Sequence, residues 1–237
     1  MVCTTGTGHR PPLEAVAVAS GRQDESAIDR RADGGASMAP EILENPSNTR
    51  EEIMGATLAT LLEHGYADLT IDKIGDEFAK SQSLIYHHYD GKDDLVLETL
   101  EFMLEAFRTK SIEGPVEEPR DALEEVVDQL FERSIDDDER QSMAALFELR
   151  AQATHDEAYR SHFNRSDDVF EDLIVDIVEA GIDRGVFQPC NPEGVAATLI
   201  TMINGTIMRR STSEDDEWVG DVREEIESYL EACVYAE

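Results

Sequence analysis

Residues 70 to 92 read TIDKIGDEFAKSQSLIYHHYDGK, and this stretch decides the fold. Thr70 is a candidate N-cap, and Ile71, Ile74 and Phe78 follow at helical spacing, so they predict one buried face. The turn is expected at Ala79-Lys80. Ser81 is then placed to cap a second helix running from Gln82 to about His88. On that helix Ile85 and Tyr89 face inward, which leaves Gln82, Ser83, Leu84, Tyr86, His87 and His88 for solvent or a partner. A short helix with two inward anchors and an outward face of hydrogen-bonding groups is what reading a DNA major groove requires. Asp90 is expected to cap a long third helix whose first turn carries Lys92, in reach of a phosphate.

The pattern extends in both directions. Upstream stand Arg50-x-x-Ile53-x-x-Ala56, Leu61-Leu62-x-x-Gly65-Tyr66 and Leu69-Thr70-x-x-x-Ile74. Downstream stand Ser81-x-x-x-Ile85-Tyr86-x-His88-Tyr89 and Lys92-x-x-Leu95. Residues 49–95 thereby resemble the DNA-binding domain of the TetR family of transcriptional regulators. Two positions depart from that pattern: Ala79 replaces a turn glycine, and Lys80 stands where an apolar side chain usually packs. Both bear on the angle between the two helices.

Composition pulls against nucleic-acid binding. The 237 residues hold 53 acids against 20 bases, a formal charge of −33, and only four of the bases are lysines (Lys73, Lys80, Lys92, Lys110). Even residues 49–95 carry ten acids against four Lys and Arg. A DNA-binding domain is expected to be basic. Either the domain does not bind nucleic acid, or it works where charge is screened; at about 1 M salt the Debye length falls to roughly 3 Å. The second reading predicts a salt-adapted, haloarchaeal-type protein with an acidic, lysine-poor surface.

Cys3, Cys190 and Cys233 are odd in number and lack a C-x-x-C spacing, so they predict free thiols in a reducing cytoplasm rather than a disulfide frame or zinc site. No apolar run is long enough to span a bilayer. Residues 1–47 lack an apolar period and read as a disordered leader; Met38 is the expected natural start.

Everything else predicts helices, giving an all-α chain: a helix-turn-helix domain over 48–95 and a helical effector-binding and dimerisation domain over 96–237. The expected spans are 49–64, 92–112, 119–134, 138–154, 156–184, 191–210 and a last helix from Asp215 or Asp216. Val195, Leu199, Met202, Ile203 and Ile207 make an apolar stripe on the penultimate helix, and Gly205 would permit close helix approach. The resemblance implies that the last two helices form a four-helix bundle with a second copy; alternatively these stripes cover a monomeric core.

For DNA, Gln82 and Ser83 are the expected base readers, Leu84 a contact to a thymine methyl, and Thr70 and Lys92 phosphate contacts. Tyr86 and His88 are expected at the DNA, with His87 there or in solvent. Ordinary solvated polarity is the competing reading. His155 and His162, seven apart, share a face only if one helix spans both; they lack a third ligand, and surface is the expected place for them, with the lining of a ligand cavity or a polar rim as the alternative. Phe102, Phe107, Phe131, Met143, Phe147 and Phe163 read as core, and the resemblance implies that some of them line an effector pocket. It further implies that an effector shifts the 92–112 helix and so respaces two reading helices on a palindromic operator, with repression as the usual outcome.

No G-x-S-x-G, G-x-x-x-x-G-K or H-E-x-x-H occurs, so no catalytic residue, metal ligand or cofactor is expected. The rival to a DNA-binding regulator is a helical small-molecule-binding or scaffold protein that does not touch DNA.

Overall fold

The computed structural model describes Leu43, residues 46–111, residues 116–131 and residues 135–236. The expected leader and start at Met38 lie outside the described residues. The helices are α1 (Thr49–His64), α2 (Ile71–Glu77), α3 (Ser83–His88), α4 (Lys92–Ser111), α5 (Pro119–Leu130), α6 (Asp137–Gln152), α7 (Glu157–Asp183), α8 (Pro192–Arg210) and α9 (Glu217–Cys233). The all-α expectation holds for the described residues.

Local chemistry sets most of these boundaries. Asn48 Oδ1 accepts the N–H groups of Arg50 and Glu51 at 3.0 and 3.1 Å and so starts α1. Gly65 stops it at φ 71°, its N–H returning to Leu61 O at 2.8 Å. Asp136 and Glu139 form a reciprocal capping box at the head of α6, both bonds 2.8 Å. Asp156 caps α7, and Gly185, also at φ 71°, turns the chain after it. Pro119 and Pro192 occupy first-turn positions, where the missing N–H costs nothing.

Two cores form. The C-terminal core joins Leu123, Val127 and Phe131 to Ile174, Ile177 and Val178 of α7, to Val195, Leu199 and Ile203 of α8, and to Ile226 and Leu230 of α9. The N-terminal core contains Ile53, Leu69, Ile74, Phe78, Ile85, Tyr89 and Leu95, but also Ala145 and Leu149 of α6 and Tyr159 and Phe163 of α7. Apolar packing therefore does not break at residue 95. The helix-turn-helix is too small to enclose its own core, and α6 and α7 close it.

Two expectations change here. The inward part of the α8 stripe (Val195, Leu199, Ile203) is spent within the chain, and Met202 and Ile207 are half-buried against the same core. The outer side of α8 is built instead from Ala197, Thr201, Gly205 and Met208, all exposed. Nothing in the chain comes within 4 Å of where a Gly205 side chain would begin. Second, His155 and His162 do not share a helix: His155 lies in the α6–α7 turn, and His162 is on α7 and only 4% exposed.

Candidate nucleic-acid interface

α2 and α3 are short, so their mutual angle depends on a few contacts. Thr70 caps α2 by accepting Lys73 N–H at 3.2 Å and is itself exposed. Ile74 and Phe78 bury the inner side of α2. Phe78 leaves the helix in extended conformation (φ −80°, ψ 114°), which opens the turn without a glycine at Ala79. Lys80 does not pack inward. Its Nζ reaches Glu52 Oε2 at 2.5 Å and Thr49 Oγ1 at 3.3 Å, so an ion pair to α1 takes the place of the apolar contact.

On α3, Ile85 is fully buried and Tyr89, just past the helix end, nearly so. Ser83, Tyr86, His87 and His88 are exposed, Tyr86 to 60%, and the two histidine rings meet edge-on at 5.4 Å. These four side chains share the outward surface of the helix, as expected.

Five expectations are corrected. Gln82 does not reach outward: its Nε2 donates to Asp72 Oδ1 at 2.6 Å and to Ile71 O at 3.3 Å, bracing the second helix against the first turn of α2. Gly75 makes room for it, since a Cβ there would stand 2.8 Å from Gln82 Cγ. Leu84 is half-buried and packs against the N-terminal core that Ile85 and Tyr89 anchor. Ser81 gives no side-chain cap; its hydroxyl pairs with that of Ser83 at 2.9 Å. Lys92 turns back, its Nζ donating to Tyr66 O at 3.2 Å and lying 4.2 Å from the centre of the Tyr66 ring. Asp90, expected as a cap, instead donates its own N–H to Asp94 Oδ2 at 3.2 Å.

Several acids of this domain are held by partners within the chain. Arg50 pairs with Glu98, which raises the arginine pKa; Glu52 faces Lys80; Asp72 holds Gln82. Asp93 Oδ1 accepts the hydroxyls of Tyr66 at 2.6 Å and Tyr159 at 3.3 Å. Burial and that carboxylate push the Tyr66 phenol up to about 12, and burial, then Tyr66, moves Tyr159 in the same direction, so both remain donors at any physiological pH. Lys73, half-buried on α2, makes no ion pair among the described residues.

A further set was not legible in the chain order. Glu148 Oε2, on α6, accepts the backbone N–H of Tyr66 at 2.8 Å, and Gln141 Nε2 donates to Glu63 O at 2.6 Å. The turn that feeds the helix-turn-helix is thus held by α6. On α7, the buried His162 Nδ1 lies 3.3 Å from Glu101 Oε2 of α4, and Arg165 reaches the same oxygen at 2.5 Å. Burial holds the His162 pKa down against the pull of Glu101.

The six aromatic and methionine positions are spread over different packing neighbourhoods. Phe131 (1% exposed) lies in the C-terminal core and Phe163 (5%) in the N-terminal core. Phe102 packs on Leu43, Met54 and Leu58. Phe107 stacks on Phe170 with ring centres 4.7 Å apart, and Met143 and Phe147 are half-buried on α6. Position along one helix cannot tell a core-facing from a cavity-facing aromatic. No group of three or more potential metal ligands occurs among the described residues, and no helix of them is long and apolar enough to cross a membrane.

Comparison with known proteins matches residues 53–99 to the bacterial regulatory proteins of the tetR family, and residues 119–234 to the C-terminal domain of BetI-type transcriptional repressors. A TetR transcription regulator from Haloarcula marismortui is 34% identical, with a TM-score of 0.68 over 78% of this chain and 97% of its own. The HTH-type transcriptional repressor AcnR of Corynebacterium glutamicum is 26% identical over 187 residues, 78% of this chain and 93% of that protein. The fold also matches a transcriptional regulator from Saccharomonospora viridis in complex with choline, 20% identical with a TM-score of 0.66, covering 79% of this chain and 98% of that one.

Proposed function

From the premise that this chain belongs to the TetR family of transcriptional regulators, we propose that it is a ligand-responsive repressor that binds a palindromic operator as a homodimer. The observation that carries the reading is the outward face of α3: Ser83, Tyr86, His87 and His88 exposed above the buried anchors Ile85 and Tyr89. Hydroxyl and imidazole groups on a groove-sized helix serve both phosphate and base-edge contacts. Thr70 adds the exposed head of α2, a site for a phosphate oxygen. Gln82 acts by positioning α3 and not by reading a base, and Lys92 reaches a phosphate only by leaving Tyr66.

Dimerisation uses the outer side of α8, where Ala197, Thr201 and Gly205 permit close approach, together with α9. The effector lies among α4–α7, next to the half-buried Met143 and Phe147 and near Phe107, and it acts by moving α4 and α6, which grip the DNA-reading unit. A ligand switches the protein only by preferring one of two such arrangements.

The charge of −33 with four lysines supports a salt-rich working environment, where carboxylate repulsion of DNA is screened, and the similar protein from Haloarcula marismortui agrees with it. The test is capture of genomic fragments by the purified protein in about 2 M KCl, where screening is nearly complete. Enrichment of a palindrome by the native chain and not by a Tyr86→Ala/His88→Ala variant is expected. A folded dimer that enriches nothing would favour a ligand-binding protein without DNA binding. Affinity that holds or rises with KCl supports salt adaptation, against the usual fall from counterion release.

A further inference from the structure

Two cysteines that lie 43 positions apart in the chain meet where its end folds back. After Gly185 the backbone runs antiparallel to the residues that follow α9: Phe187 bridges to Tyr235. Gln188 N–H donates to Val234 O at 2.9 Å, and Ala236 N–H to Val186 O at 3.1 Å. The Gln188 side chain adds a bond from Nε2 to Ala232 O at 3.0 Å. Phe187 locks this arrangement, because its ring fills the place of a side chain at Gly181; a Cβ there would lie 2.0 Å from Cδ2. These contacts hold residue 188 beside residues 232 and 234, and thus bring together Cys190, two positions on, and Cys233, the last residue of α9.

Pro189 bends the chain after the ladder, and Cys233 is helical, so neither cysteine follows strand alternation. Cys190 and Tyr229 both pack against the C-terminal core. Tyr229 stands one helical turn before Cys233, and its phenol is pushed up by burial and then by Cys233, with Cys190 adding in the same direction. The Cys190 thiol, half-buried against the C-terminal core, is pushed up by burial and by Cys233. Cys233 is exposed, and neither thiol is bonded to another sulfur.

We propose that Cys190 and Cys233 form a reversible dithiol–disulfide site that clips the end of α9 to the segment entering α8. The solvent-exposed Cys233 is the thiol an oxidant meets first, and the half-buried Cys190 is the resolving thiol. With hydrogen peroxide the Cys233 thiolate attacks one peroxide oxygen, the O–O bond breaks, hydroxide leaves, and a sulfenic acid forms. The Cys190 thiolate then attacks that sulfur, the S–O bond breaks, and hydroxide leaves again. The two hydroxides take up the two thiol protons, so two thiols and one peroxide give one disulfide and two waters. A dithiol reductant reverses the reaction by exchange. The clip joins α8 and α9 independently of whether they also pair with a second copy.

The test uses the full chain with Cys3→Ser, folded in about 2 M KCl to screen its charge, exposed to peroxide, then alkylated in denaturant and mapped by mass spectrometry. The expected result is one intrachain Cys190–Cys233 linked peptide, restored to two alkylatable thiols by dithiothreitol. The link should form at least about tenfold more slowly in the urea-unfolded chain, where a long loop must close by chance. In C190S the oxidised chain should stop at a Cys233 sulfenic acid that dimedone traps, whereas C233S should leave Cys190 reduced. Both thiols remaining free in the folded native chain, a link between chains, or direct passage of Cys233 to sulfinic acid would each overturn the proposal.

Discussion

Glu148 and Tyr66 stand 82 residues apart in the chain, and the Glu148 carboxylate accepts the Tyr66 backbone N–H at 2.8 Å. That single oxygen also lies 3.4 Å from Ala67 N and 3.2 Å from where a Gly65 side chain would begin. The glycine that ends α1 therefore does two jobs: its positive φ turns the chain, and its missing side chain admits a carboxylate from α6. The DNA-reading unit is tied to the helical domain through this turn as well as through α4.

Glu148→Ala should leave the Tyr66 N–H without its carboxylate partner and lower stability by about 1–2 kcal/mol, the usual cost of losing a charge-assisted bond at a half-buried site. Thermal melts at constant KCl measure it. Its second effect is on coupling: a variant that melts earlier yet keeps the native response of DNA affinity to effector would show that α6 does not transmit the switch.

Gln82 and Gly75 should be energetically coupled. Alanine at position 75 gains helix propensity worth about 1 kcal/mol, but its Cβ would meet Gln82 Cγ at 2.8 Å. Gly75→Ala should thus stabilise the chain in a Gln82→Ala background and fail to do so in the native one. A double-mutant cycle of melting free energies that returns no interaction would exclude the brace. Gln82→Ala alone should weaken all operators alike, as loss of a positioning group does, without changing base preference.

Tyr86→Ala should separate binding from folding. The side chain is 60% exposed, so the melting temperature should hardly move, within the roughly 0.5 kcal/mol typical of surface changes. Operator affinity at constant salt should fall by about tenfold, the worth of one good contact of about 1.4 kcal/mol. Unchanged affinity by fluorescence anisotropy would remove Tyr86 from the interface.

His162 predicts a pH dependence with a definite sign. Burial lowers its pKa from the ordinary 6.5, so below that value the unfolded chain binds the proton more readily than the folded one. Its contribution to stability is complete above pH 6.5 and is lost as pH falls from there through the lowered folded value. The facing groups are the Arg165 guanidinium and the Glu101 carboxylate, the latter held below its ordinary range chiefly by Arg165 and so ionised throughout that window. The melting temperature should drop between pH 7.5 and 5.5, and His162→Gln should flatten the drop; an equal slope in the variant would locate the titration elsewhere.

Local signals in the chain determined the helices and their ends. Asp136, Asp156, Gly65, Gly185, Pro119 and Pro192 act within a turn of their own positions, and the inward anchors Ile74, Phe78, Ile85 and Tyr89 follow from 3.6-residue periodicity. The exposed face of Ser83, Tyr86, His87 and His88 was legible for the same reason. Tertiary structure decided what periodicity leaves open, namely which partner a polar or apolar side chain meets. Gln82, Leu84 and Lys92 all stand at positions open to solvent on their own helices; Asp72, the N-terminal core and Tyr66 claimed them. Phe131 and Phe163 look alike in sequence but were divided between two cores, and Glu148 found Tyr66 across the fold. Capping and periodicity are properties of neighbours along the chain, whereas these pairings exist only once distant helices have packed.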